Sequence, residues 1–204
     1  MQTALVPADT RITNHFNKET FVFTHPYDDQ PVSRMDVILE AGGSGGGNAI
    51  AHVHPRTDEI FTVHYGRLMV SLDGVEHYVE AGQSATVPMG VPHFFRNAFD
   101  GETRATVTFT NPQQHQRFFL NLALWTENHP TYFSNNGEVK LLAMALGLHE
   151  FRDHLYVASL PVRMQKILFA GLSVVARLAG YRLAVRPREV EKSETSRLVG
   201  VPAE

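Results

Sequence analysis

The chain has 204 residues, 43% of them hydrophobic and 19% charged, with a formal net charge of −3 and no cysteine. This fits one sizeable globular domain with an extension, or two small ones, and it excludes disulfides, zinc–thiolate sites and cysteine nucleophiles. The charge is unevenly placed: residues 1–153 carry 17 Asp/Glu against 10 Lys/Arg, while residues 154–188 carry six Lys/Arg and no acid, so the main body offers no broad basic surface to a nucleic acid.

The opening MQTALVPADTRITN has no basic region followed by an apolar core. A signal peptide is therefore not expected, and a cytoplasmic location is the default. From about residue 20 to 125 the sequence reads as strands. Residues 33–40 alternate, with Met35, Val37 and Leu39 on one face. Residues 59–66 and 67–82 follow, and Asp73-Gly74 predicts a tight hairpin, because a primed turn needs positive φ. Residues 85–95, 104–110 and 116–125 continue the pattern. Short strands with Gly/Pro punctuation point to a barrel or sandwich rather than a parallel sheet.

Past Ser134-Asn135-Asn136-Gly137 the spacing becomes helical, over 138–160 and 161–183. In the second segment Arg163, Lys166, Ala170, Ser173 and Arg177 form one narrow polar stripe on an otherwise apolar helix. Pro161 suits its first turn and Gly180 its end. The reading is a β-domain over 1–133, a helical extension over 134–188 and a polar, fraying tail over 189–204. The ten residues between Lys166 and Arg177 are too few to span a bilayer. Packing of this helix on the barrel or a second subunit, including as a lid, is favoured over docking on an anionic membrane surface.

The run AGGSGGGNAIAHVHPRTDEIFTVHYG, residues 41–66, is not a phosphate loop: Asn48 stands where a P-loop needs lysine, and Gly-x-Gly-x-x-Gly is missing. His52 and His54, two apart, share one face of a strand. Two imidazoles can then meet one ion at about 2.0–2.2 Å. Glu59, past the Pro55-Arg56 turn, can add an anionic oxygen from the next strand, and His93 would complete a facial set. His64 follows Glu59 by an odd number of residues and should point away. His25, His77 and His115 lack ligand spacing and are expected on the surface or lining the barrel.

Two spaced blocks carry a family resemblance. The first is Gly46, His52, His54, Glu59 and Gly66; the second is Gly82, Pro88, Gly90, His93 and Asn97, with 15 residues between the blocks. On these positions the sequence resembles the cupin family over roughly residues 34–112. The resemblance implies a mainly β fold, a cupin-type small β-barrel (double-stranded β-helix or jelly roll) followed by C-terminal α-helices. It implies His52, His54, Glu59 and His93 as ligands of one divalent transition metal ion inside the barrel. It also implies a homodimer, since cupins often pair through their sheets.

Four protein ligands leave one or two positions open on such an ion. A mixed imidazole and carboxylate set suits Fe, Mn, Ni, Co, Cu or Zn. By parity Phe61 and Val63 share the face of Glu59, and Phe95 shares that of His93. With Met35 and Val37 they are the expected pocket residues, against the plainer reading of core packing. Arg34, Glu40, Tyr65, Arg96 and Trp125 are further candidates. The leading functional expectation is a metal-dependent oxidoreductase, an iron dioxygenase-like enzyme acting on a small organic molecule, with Glu59 as its catalytic proton acceptor. A metal-dependent isomerase or lyase using the ion as Lewis acid, and a non-catalytic small-molecule-binding protein, are the alternatives.

Overall fold

The computed structural model describes residues 4–27, 30–44, 50–111, 113–152 and 154–188. Gly46 of the first block and the tail expected over 189–204 lie outside the described residues. The strands are β1 (Thr10–Asn14), β2 (Glu19–Phe23), β3 (Ser33–Leu39), β4 (His52–Val53), β5 (Glu59–Tyr65), β6 (Arg67–Leu72), β7 (Val75–Glu80), β8 (Ser84–Val87), β9 (His93–Asn97), β10 (Thr103–Phe109) and β11 (Tyr156–Val157). The helices are α1 (His115–Asn128), α2 (Leu141–Glu150) and α3 (Val162–Leu178). The strands form two antiparallel sheets, in the orders β1-β2-β3-β10-β5-β8 and β11-β4-β9-β6-β7. The fold is mainly β, as expected, with helices following.

Period-2 alternation drives the packing. Met35, Val37 and Leu39 on β3, Phe61 and Val63 on β5 and Val107 on β10 are all buried in one core between the sheets. Burying each such side chain is worth about 1.5–3 kcal/mol, so a one-residue slip that turned this row outward would be costly. The β6–β7 hairpin closes at Asp73 and Gly74, with φ of 48° and 83°, the double positive φ of a tight primed turn.

The last residue of the second block, Asn97, serves the frame. The side-chain amide of Asn97 donates to the carbonyls of Leu39, Glu40 and Gly101, and its carbonyl accepts from the Phe99 amide and the Thr103 hydroxyl. It ties the ends of β3, β9 and β10 together.

The helical part starts earlier than expected. Residues 116–125 are not a strand but the body of α1. Leu120, Leu122 and Leu124 mimic strand alternation, yet Phe118, Phe119, Leu122 and Trp125 recur at helical spacing and face one cavity. A short apolar run is ambiguous between the two periods, and here the longer helical match prevails. α2 ends at Glu150, and the chain then returns as β11 to pair with β4. β4 has only two residues and would otherwise be a bare sheet edge; β11 covers it.

α3 packs on α2 with Gln165, Phe169, Ser173 and Ala176 buried, and the Gln165 side chain bonds to the backbone of Val157 and Leu160 beside β11. Of the expected polar stripe, Ser173 is buried, whereas Arg163, Lys166 and Arg177 stay exposed, so the stripe straddles the edge of the packed face. Gly180, at φ 89°, ends the helix as expected.

One substitution tests the frame. Gly66, between β5 and β6, has φ 77°, and a Cβ there would lie 2.7 Å from the Glu102 carbonyl oxygen. Gly66→Ala is expected to lower stability by roughly 2–4 kcal/mol in urea unfolding; a change under about 0.5 kcal/mol would contradict this packing.

Candidate metal centre

Strand register builds the site. His52 on β4 pairs directly with His93 on β9, bringing two imidazoles side by side. Their ring centroids are 4.3 Å apart. Glu59 opens β5 in the other sheet, opposite Val87 and Phe109. His54 follows β4, and its ring lies 5.1 Å from that of His52 and 5.2 Å from that of His93. The donor atoms of His52, His54, Glu59 and His93 all lie within 4.8 Å of one another. The four sequence-expected ligands are thus brought together.

The hydrogen bonds fix which ring atom faces inward. Each Nδ1 sits 2.9 Å from a backbone carbonyl oxygen: Ile50 for His52, His154 for His54 and Val91 for His93. A carbonyl only accepts, so each Nδ1 carries the proton. Nε2 of His52 and of His54 is then left with its lone pair for the centre, the tautomer a metal requires, whereas Nε2 of His93, 2.8 Å from a carboxylate oxygen of Glu59, donates to it and becomes a ligand once that proton leaves. Glu59 Oε2 lies 2.8 Å from His93 Nε2 and 3.6 Å from His54 Nε2. His54 Nε2 is buried with no hydrogen-bond partner. An orphaned buried nitrogen costs about 1–3 kcal/mol, and a cation held by the four groups would satisfy it. The residues present therefore fit one divalent ion.

Electrostatics keep most of the set ready. Burial, followed by the neighbouring imidazoles, lowers the pKa of His52 to about 3. His54 is likewise lowered to about 3, chiefly by burial and against the His154 carbonyl bond that favours its charged form. Both rings are therefore neutral ligands at ordinary pH. His93 differs: burial pulls its pKa down, but the hydrogen bond and charge of Glu59 outweigh this and raise it above 6.5.

Two further histidines stand beside the centre: His115 at the start of α1, expected on the surface or lining the barrel, and His154 after α2, which the sequence does not single out. Both are buried beside His54, with ring centroids 5.4 Å from it and 4.0 Å from each other. His115 is neither on the surface nor part of a ligand spacing. Neither ring nitrogen of His154 has a hydrogen-bond partner, and burial, then His115, His54 and His52, hold its pKa well below 6.5. His54, His115 and His154 form a second group of close donor atoms. However, His54 has a single Nε2 lone pair to give, and only the first group adds a carboxylate, so the first is the stronger cation site.

Beside the centre lies a cavity of about 90 Å³, with His52 and Glu59 in its wall. Phe118, Phe119, Leu122 and Trp125 of α1 line its length, and Met144 and Leu148 of α2 roof it. The β1–β2 hairpin closes it with Asn14, Asn17 and Glu19. Of the five expected pocket residues, Phe95 lines the cavity. Met35, Val37, Phe61 and Val63 do not; they are packed into the barrel core. Parity places them indoors, but a barrel this small fills with its own side chains, and the free space lies between barrel and helices. Trp125 is a lining residue as proposed, whereas Arg34, Glu40, Tyr65 and Arg96 are exposed. His64 is exposed and bonds to Thr106, pointing away from the centre as expected.

The Cupin domain family profile matches residues 35–109. Oxalate oxidase GF-3.8 of Triticum aestivum is 35% identical over 94 residues, covering 42% of this chain and 41% of that protein. Quercetin 2,3-dioxygenase of Bacillus subtilis (strain 168) is 28% identical over 100 residues, covering 49% of this chain and 29% of that protein. The chain thus spans well under half the length of these curated relatives. Among solved structures, KdgF from Halomonas sp. superposes with a TM-score of 0.43 and 16% identity over 56% of this chain and 98% of that one.

Two outcomes follow from the ligand geometry. His52→Ala and His54→Ala should each weaken retention of a divalent ion by more than about 100-fold, beyond what loss of an outer-shell partner causes; equal retention in equilibrium dialysis would contradict the site. In addition, with His52 and His54 already neutral, only His93 must shed a proton on loading. Affinity measured by titration calorimetry should fall by about one proton's worth per pH unit as pH drops from about 7 to 5; no fall, or a three-proton slope, would contradict that assignment.

Proposed function

Since the chain belongs to the cupin superfamily, we propose that it is a metal-dependent oxidoreductase, dioxygenase-like, acting on a small and mostly apolar organic molecule. The observation that carries this reading is the convergence of three imidazole Nε2 atoms and a carboxylate at the wall of an apolar cavity. Oxalate oxidase and quercetin 2,3-dioxygenase, two proteins of similar sequence, are oxidising enzymes by name. Iron or a similar ion bound by His52, His54, Glu59 and His93 would supply redox and Lewis-acid chemistry there.

The chain's own residues then divide the work. The phenylalanines of α1 and β9 exclude water and hold the apolar body of the substrate. Glu59, which reaches the cavity, accepts a proton from an acidic phenol or enol hydroxyl brought to the centre. Elsewhere in the cavity wall Asn17 offers a buried side-chain carbonyl oxygen with no hydrogen-bond partner. That oxygen suits a hydroxyl or amine at the tail of the substrate. No Lys or Arg is among the described lining residues, so an anionic tail finds no partner there.

Protein purified without nickel resin should carry iron, and oxygen uptake with a panel of apolar phenols and enols should depend on it. Glu59→Gln should slow turnover by about 10²–10⁴-fold. Undiminished anaerobic turnover would overturn the redox reading in favour of an isomerase or lyase; tight retention of a panel compound without turnover would make the protein a binder. For a substrate with a hydroxyl or amine tail, Asn17→Leu should raise KM about tenfold with kcat unchanged; an unchanged KM would contradict the tail contact.

A further inference from the structure

α3 is built the wrong way round for a helix that merely packs on its own domain. Its buried side is Gln165, Phe169, Ser173 and Ala176. Its outward side carries Met164, Ile167, Leu168, Val174, Val175 and Leu178, with Ile167 77% and Leu178 84% exposed. At 100° per residue these six and Gly171 fall within one sector of about 120° along the whole helix. Isolated exposed apolar residues are ordinary, but a continuous stripe of this size is not.

Charge decides what covers it. Arg163, Lys166 and Arg177 form one flank of the stripe, and Arg182 and Arg186 follow the helix; all are exposed. Arg177 pairs with Glu150, Lys166 lies over the Tyr156 ring, and Arg182 donates to the carbonyls of Arg177 and Tyr181. Residues 154–188 contain six Lys/Arg and no acid, so the flank itself carries no carboxylate. Two copies meeting antiparallel through this face would bring their cationic flanks together, a like-charge cost, and meeting parallel would leave both flanks unmatched. An anionic bilayer gains from the same charges, by about fivefold in affinity per basic residue near its surface. At 17 residues, α3 is not long and apolar enough to cross a membrane.

We propose that the exposed face of α3 docks the protein on an anionic lipid surface, with the apolar stripe in the interface and the basic flank among the headgroups. This reverses the preference drawn from the sequence, because the sequence alone does not show which face is free.

The full chain is floated with phosphatidylcholine vesicles and with phosphatidylcholine/phosphatidylglycerol vesicles. At least about tenfold more should float with the anionic vesicles, less so at high salt. The double variant Ile167→Asp, Leu178→Asp should lose flotation while keeping wild-type thermal unfolding, and Arg163→Glu should lose most of it. Failure of the folded wild-type chain to float with anionic vesicles overturns the proposal; a dimer on size exclusion that the double variant breaks would then assign the face to a second copy. Equal flotation of the double variant overturns it as well.

Discussion

Three imidazole nitrogens and a carboxylate are aimed at one buried spot, where a cation would be held by all four. Glu59 raises the basicity of His93, while burial keeps His52 and His54 neutral. Backbone carbonyls of Ile50, Val91 and His154 hold the rings in this arrangement. The site is therefore preorganised by bonds that do not involve the ion.

Both sheets and the helical segment are needed to make that arrangement. His52 and His93 come from paired strands of one sheet, and Glu59 from the other. The carbonyl that orients His54 belongs to a residue 100 positions later, just before β11. The chain past the barrel thus does three things together: it pins a ligand, covers the edge strand β4 and roofs the cavity. Asn121 of α1 in turn grips the backbone at Ala184 and Val185, tying the segment after α3 to the helix layer.

What the sequence revealed follows from locality. His52, His54, Glu59 and His93 were legible because strand parity and turn chemistry act over a few residues. So were the Asp73-Gly74 hairpin and the barrel core around Met35 and Leu39. α1 was misread because Leu120, Leu122 and Leu124 satisfy period 2 while Phe118, Leu122 and Trp125 satisfy the helical one. The cavity and His154 depend on contacts between distant segments, which spacing does not encode. The amphipathicity of α3 was visible, but its apolar majority could face either way until packing on α2 turned Gln165 and Ser173 inward.

The most direct test is anomalous diffraction from crystals of the metal-loaded protein. A single peak about 2.0–2.2 Å from the Nε2 atoms of His52, His54 and His93 and from a carboxylate oxygen of Glu59 is the predicted result. A peak between His115 and His154 instead, or no ordered ion at the four groups, would contradict it.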